Sequence, residues 1–296
     1  VTREGAKAMK RSVTAVNGVE IPQIGFGIYK IKQGAGEDFD KTILAAIQAG
    51  YRHFDTARIY GNEAALGSAI DRSKIPREQF FLTSKAWTTE LGYTRTRKAF
   101  EQSCRKLGTN VLDMYLIHFA GPGYVEAWKA IEELYEEGRI RVIGVANFEI
   151  EHLERLMQQA QIPPMLNQIE THPEFQQSPL RAYMERHHIL HEAWAPLGQG
   201  SRTLLENKEL TAIAAAHDCT TAQIILAWHL HRGTIVIPKS SHPVRMRENI
   251  QSVNIVLTPG ELERIAQLDT KTRYSANPTG FQIHPLFVQT MKWFVR

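Results

Sequence analysis

Short apolar, β-branched runs recur along this chain, each followed by an amphipathic stretch of about a dozen residues, and eight such units follow one another. A hairpin precedes them, Ser12–Val16 and Val19–Ile21 around the turn dipeptide Asn17-Gly18. The strands then read Ile24–Gly27, Arg52–Thr56, Phe80–Ser84, Leu112–Ile117, Val142–Val145, Leu166–Glu170, Leu190–Ala195 and Thr234–Ile237. Helices are expected near Glu37–Ala49, Asn62–Asp71, Thr94–Leu107, Val125–Glu137, Ile150–Gln159 and Pro179–His187. The seventh strand is followed by two, Glu209–His217 and Ala222–His231, and the eighth by Val244–Val253 and Pro259–Leu268.

Strict strand–helix alternation admits two α/β architectures, a doubly wound open sheet or a closed (β/α)8 TIM barrel. The open sheet would carry G-x-G-x-x-G after its first strand, to seat a pyrophosphate. Gly25-Phe26-Gly27 has Lys30 where the third glycine would fall, and Gly198-Gln199-Gly200 has Thr203. No Walker A sequence occurs either. The barrel is the expected fold, with the N-terminal hairpin and extra helices after strands seven and eight. At 296 residues and 43% hydrophobic, the chain can bury a core without disulfide or metal staples. One domain over 1–296 is expected. In it, 1–11 form a flexible or appended start (Met9 reading as the natural one) and 270–296 a tail near the barrel mouth.

Two cysteines, Cys104 and Cys219, neither frame a disulfide scaffold nor have CxxC spacing. With a polar Val1–Lys10 and no apolar run of spanning length, they fit a reducing, cytoplasmic setting with no membrane partner. The net charge of +4 is a mild excess of base, so no nucleic acid is expected. His187, His188 and His191, and the pair His229 and His231, make no HExxH, and no metal is expected.

A barrel places its chemistry at the C-terminal ends of its strands. Those ends carry Asp55, Lys85, His118, Asn147, Gln168, Trp194 and Lys239. An aspartate and a lysine on neighbouring strands can pair inside the mouth. A tyrosine beside that lysine, Tyr60, would have its phenolate favoured and its pKa drawn down from about 10. Such a phenol suits general acid catalysis, with His118 orienting a carbonyl oxygen. Each residue alone has a plainer reading: the tyrosine as core, the lysine as solvated, the histidine as structural.

The stretch Gly50-Tyr-Arg-His-Phe-Asp55-Thr-Ala-Arg-Ile-Tyr60-Gly-Asn-Glu63, with Leu66-Gly67, resembles the signature of the aldo-keto reductase family. So do Leu112–His118, Gly144–Phe148, Asn167–Glu170 with His172-Pro173, and Ile237–Ser240 with Arg245, Glu248 and Asn249. The likeness runs in register from about Ser12 to about Asn277. It is strongest to a bacterial branch resembling 2,5-diketo-D-gluconate reductases, given Trp194 and the short segment after His118.

The resemblance implies NADPH-dependent reduction of small aldehydes, dicarbonyls and keto-sugar acids, by a chain expected to be a monomer. Tyr60 would be the proton donor, tuned by Lys85 and Asp55, with His118 orienting the carbonyl. Asn147 and Gln168 would hold the nicotinamide carboxamide, and Trp194 would stack on its ring. Lys239, Ser240 and Arg245 would take the adenosine 2′-phosphate, with Glu248 and Asn249 at the adenine. Leu197 and Gly198 open the Gly198–Asn207 segment that would fold over the pyrophosphate. Tyr29, Ile59, Trp87 and Phe119 would wall the substrate pocket.

Two departures stand out, Ala146 where the family usually has serine and Phe119 where it commonly has tryptophan. Independently of the family, Lys239, His242, Arg245 and Arg247 crowd one loop and helix start, a setting that attracts phosphate. A solvated basic surface is the plainer alternative. Trp293 and Phe294 could close over the mouth or pack on the barrel flank. Two other functions fit a barrel of this kind: a Schiff-base enzyme using Lys85, and a non-catalytic nucleotide-binding redox sensor.

Overall fold

A computed structural model of the chain describes residues 12–31, 37–275 and 277–278. Its centre is a parallel barrel of eight strands: β3 (Gly25–Gly27), β4 (His53–Asp55), β5 (Phe81–Ala86), β6 (Leu112–Ile117), β7 (Ile140–Ala146), β8 (Leu166–Glu170), β9 (Leu190–Trp194) and β10 (Ile235–Val236). Each pairs with the next in sequence, and a parallel bridge between Ile24 and Val236 closes the ring. Every residue of β5 and β6 is buried, because one face meets helices and the other the barrel interior. Side chains alternate between those faces, so Asp55, Lys85, Gln168, Glu192 and Trp194 all fall on the inner one.

The outer ring contains α1 (Glu37–Gln48), α2 (Glu63–Ser73), α3 (Tyr93–Leu107), α4 (Tyr124–Glu136), α5 (Ile150–Met157), α6 (Ser178–Arg186), the short α7 (Arg202–Leu205), α8 (Lys208–Ala216), α9 (Thr221–His231), α10 (Pro243–Gln251) and α11 (Pro259–Ala266). The apolar α9 contributes to both the main core and a second cluster that contains residues of α8 and α11. No single helix among the described residues is long and apolar enough to cross a membrane. The hairpin of β1 (Ser12–Thr14) and β2 (Glu20–Pro22) lies at the opposite end from the site. There Asn17 Nδ2 donates to the Arg141 carbonyl, 2.8 Å away near the start of β7.

Strand boundaries depart from expectation in two places that matter. β5 runs on to Ala86, so Lys85 lies within the strand rather than beyond its end. β10 has two residues instead of four, and Pro238, which has no N–H to give a ladder, follows closely. The expected start, 1–11, and Trp293 and Phe294 of the tail lie outside the described residues.

The seam between first and last barrel strands is tight. Gly27 N donates to the Pro238 carbonyl at 3.2 Å, and Val236 N to that of Gln23 at 2.9 Å. A Cβ on Gly27 would sit 2.8 Å from the Ile237 carbonyl oxygen, a backbone atom that cannot turn aside. Gly27→Ala is therefore expected to cost about 1–3 kcal/mol, read from urea unfolding. An unchanged midpoint would mean that the seam yields freely.

Candidate active site

The site is built on a buried ion pair. Lys85 Nζ donates to Asp55 Oδ1 at 2.6 Å and to the Thr56 carbonyl at 2.9 Å, with its side chain wholly out of water. Adjacent parallel strands bring the two together, since β4 and β5 pair with Asp55 opposite Thr83. An ammonium so buried needs both partners to offset the loss of hydration.

Tyr60 ends a single 3-10 turn, Arg58–Tyr60, that the sequence alone did not resolve as an element. Two neighbours clamp that turn. Asn62 accepts from Thr56 Oγ1 at 2.8 Å and donates to the Ile28 carbonyl at 3.0 Å. Arg58 reaches Glu90 at 2.7 Å and the buried Glu63 at 3.3 Å, and Glu63 also accepts from Ser84 Oγ at 2.8 Å. Gly61 follows at φ +71°, a conformation that favours glycine. The motif around Tyr60 thus reads as a set of restraints on one ring.

Lys85 Nζ lies 5.2 Å from the centroid of that ring. The expected drop in the Tyr60 pKa does not follow. Burial, and then the charge of Asp55, hold the phenol well above its ordinary value. Burial disfavours the phenolate first of all, and Asp55, at 2.6 Å, already matches the Lys85 charge that would have favoured it. Tyr60 keeps its proton until a strong base appears.

His118 follows β6 and is buried between aromatic rings. Its centroid lies 5.7 Å from Tyr60, 5.2 Å from Trp87 and 5.1 Å from Phe119, the last in a stack. Burial, then the nearby Lys85, push its imidazole well below the usual value, so it is neutral. Its Nδ1 is buried without a partner among the described residues. Tyr29 extends the wall, 4.8 Å from the Tyr60 ring, and Ile59 is half-buried in the 3-10 turn.

Gln168, Asn147 and Trp194 meet on the other side. Gln168 Nε2 donates to Asp55 Oδ2 and to Glu192 Oε1, both at 2.9 Å. Asn147, at φ +61°, donates to the His118 carbonyl at 3.0 Å and accepts from Trp194 Nε1 at 2.9 Å. Sequence reasoning missed Glu192, although period-two alternation from Trp194 points to it. Glu192 is fully buried, and burial followed by the Asp55 charge pushes its carboxyl up to about 8.

The rim is cationic at the barrel seam. The Lys239 ammonium is lowered by partial burial and next by the charge of Lys30, so the two lie close, and neither has a carboxylate partner among the described residues. Lys30, the residue in the missing-glycine position, was also overlooked. Arg245 is exposed on α10, while Ser240 is buried and bonds His242, whose backbone N donates to its hydroxyl at 3.1 Å. Glu248 is half-buried and Asn249 buried on the same helix.

Leu197 is half-buried ahead of a 3-10 turn at Gly198–Gly200. A Cβ on Gly198 would lie 2.9 Å from Leu204 and 3.0 Å from Tyr274. Ser201 Oγ bonds the Tyr274 hydroxyl at 2.9 Å, which ties this loop to the segment after α11.

Residues 23–270 match the aldo/keto reductase family. The chain is 42% identical over 271 residues to the 9,11-endoperoxide prostaglandin H2 reductase of Trypanosoma cruzi, covering 91% of this chain and 95% of that one. It is 43% identical over 272 residues to the glyoxal reductase of Bacillus subtilis, covering 92% and 97%. Among solved structures, a Gox0644 variant in complex with NADPH is 40% identical with a TM-score of 0.86, covering 93% and 99%.

The ion pair sets a clear stability test. Lys85→Met strands the Asp55 carboxylate and is expected to cost about 3–5 kcal/mol near neutral pH. Asp55 without its cation would bind protons more tightly folded than unfolded, so this deficit should shrink as pH falls. Adding Asp55→Asn should recover most of it. A double variant no more stable in urea than Lys85→Met alone would contradict the pairing.

Proposed function

The chain belongs to the aldo/keto reductase family, and from that premise we propose how its residues carry out the reaction. It is an NADP-dependent oxidoreductase that reduces aldehydes and ketones to alcohols. The observation that carries the assignment of roles is the meeting of Tyr60, Lys85, Asp55 and a neutral His118 at one end of the barrel.

NADPH supplies the hydride when bound. The residues present suit it: Lys30, Lys239 and Arg245 offer cations for its phosphates, with Ser240 beside them. Gln168 and Asn147 offer amide groups for the carboxamide and Trp194 a ring face, with Leu197 and Gly198 beside the pyrophosphate. Glu248 and Asn249 serve the adenine. Ala146, buried and opposite Gln168 in register, gives no hydroxyl there, so the grip on the carboxamide is looser by one bond.

His118 donates one ring N–H to the substrate oxygen, which its neutral state permits. Tyr60 then gives its proton to that oxygen as it becomes an alkoxide, a stronger base than a phenolate. The high pKa of the phenol keeps the proton in place until that moment. Lys85 beside the ring is already paired with Asp55, so the phenolate left on Tyr60 is not held by that cation and takes a proton back readily. Tyr29, Ile59, Trp87 and Phe119 keep water from the carbonyl. Lys85 has no role as a Schiff-base amine, since Asp55 and Thr56 hold it as a buried ammonium.

The glyoxal reductase likeness and the aromatic wall of Trp87, His118 and Phe119 favour dicarbonyls and small aldehydes, with keto-sugar acids next. We propose that the chain acts as a cytoplasmic monomer with one barrel domain; most of the expected tail, 270–296, lies outside the described residues.

Oxidation of NADPH against a panel of carbonyls, followed by absorbance, tests the reading. Tyr60→Phe should lower turnover by orders of magnitude while NADPH binding barely changes; retained turnover would remove Tyr60 from its role. Arg245→Ala should weaken NADPH about tenfold, solvent holding the effect at the low end, and leave NADH nearly unaffected. Equal weakening of both cofactors would make Arg245 a support for α10 instead.

A further inference from the structure

Glu192 has no part in the reaction as described above, yet it shares the buried layer that does. It lies two residues before Trp194 on β9 and therefore on the same inner face. Its neighbour His191 turns the other way, to Thr171 and Thr234. Glu192 Oε1 accepts from Gln168 Nε2, the nitrogen that also donates to Asp55 Oδ2. An amide nitrogen has two hydrogens, and both are taken by carboxyl oxygens. Only the amide oxygen of Gln168 is left to present elsewhere.

We propose that Glu192 is a positioning residue for cofactor binding: with Asp55 it holds the Gln168 amide so that an acceptor oxygen, and not a donor nitrogen, is offered to the nicotinamide carboxamide. This rests on the reading that Gln168 receives that group. Without Glu192 the second hydrogen loses its partner, and the amide is free to rotate toward the donor face.

The charges around Glu192 agree with this. β4 contributes Asp55, β5 contributes Lys85, β8 contributes neutral Gln168, and the turn after β4 contributes Tyr60. β10 brings Ile235 opposite Glu192 and adds no charge there. Two carboxyls thus face one ammonium, and a proton on Glu192 leaves Lys85 paired with Asp55 alone. Its Oε2 is buried without a partner among the described residues, where that proton fits. Glu192 therefore accepts through Oε1 as a neutral acid and ionises only near about 8.

NADPH affinity, read from quenching of tryptophan fluorescence, tests this in wild type, Glu192→Met, Glu192→Gln, Gln168→Ala and the Gln168→Ala/Glu192→Met pair. Glu192→Met should weaken NADPH about five- to tenfold. Glu192→Gln keeps an acceptor oxygen and should restore most of that. With Gln168 already removed, Glu192→Met should add nothing.

Full affinity in Glu192→Met, or an equal loss on the Gln168→Ala background, would overturn the inference. Should Glu192→Met fail to fold, Glu192→Ala on the same two backgrounds decides: full NADPH affinity, or an equal loss without Gln168, overturns the proposal. A wild-type chain that does not bind NADPH would overturn the functional reading itself. Tight wild-type binding with an indifferent Glu192→Met overturns this inference alone.

Discussion

An ammonium buried in a barrel must find an anion and a carbonyl within reach, and that requirement organises the mouth of this protein. Lys85 finds Asp55 at 2.6 Å and the Thr56 carbonyl at 2.9 Å. Removing either ion would leave the other buried and uncompensated, at a cost of several kcal/mol. The pair therefore fixes the relative height of β4 and β5. Tyr60 lies against the ammonium because Arg58 and Asn62 hold the turn that carries it. Gln168 is held because Asp55 has a second oxygen to fill.

The barrel interior is divided by polarity. β6 and β7 present Met114, Leu116, Val142 and Gly144 inward, whereas β4, β5, β8 and β9 present Asp55, Lys85, Gln168 and Glu192. The groups proposed to react gather on the polar half, beside the aromatic wall around His118. The cations proposed for phosphate lie at the seam, because the segments leaving β3 and β10 meet there and carry Lys30 and Lys239. One closure event thus builds the core and brings the two lysines together.

The architecture was legible in the sequence because strand–helix alternation is a periodic signal, and each barrel strand stands at or near its expected place. The residues at the strand ends were legible for the same reason. What the sequence hid depends on neighbours that are distant along the chain. Whether Tyr60 is a strong or a weak acid turns first on how deeply its phenol is buried and then on the Asp55 charge beside it, and neither is visible along the chain. Glu192 looked like any strand residue until Gln168 was seen to bond it and Asp55 together. Lys30 was read as a failed glycine motif, and it needs barrel closure to bring it to Lys239.

The central claim is that the proton delivered to the substrate oxygen comes from Tyr60, held ready beside a paired Lys85. Isotope effects on the single-turnover rate test it most directly, with deuterated NADPH and with deuterated solvent. Wild type should show both effects. Tyr60→Phe should keep the effect of deuterated NADPH on its residual rate and lose that of a proton donated by the protein. A solvent effect of unchanged size in Tyr60→Phe would mean that another group, His118 first among them, delivers the proton.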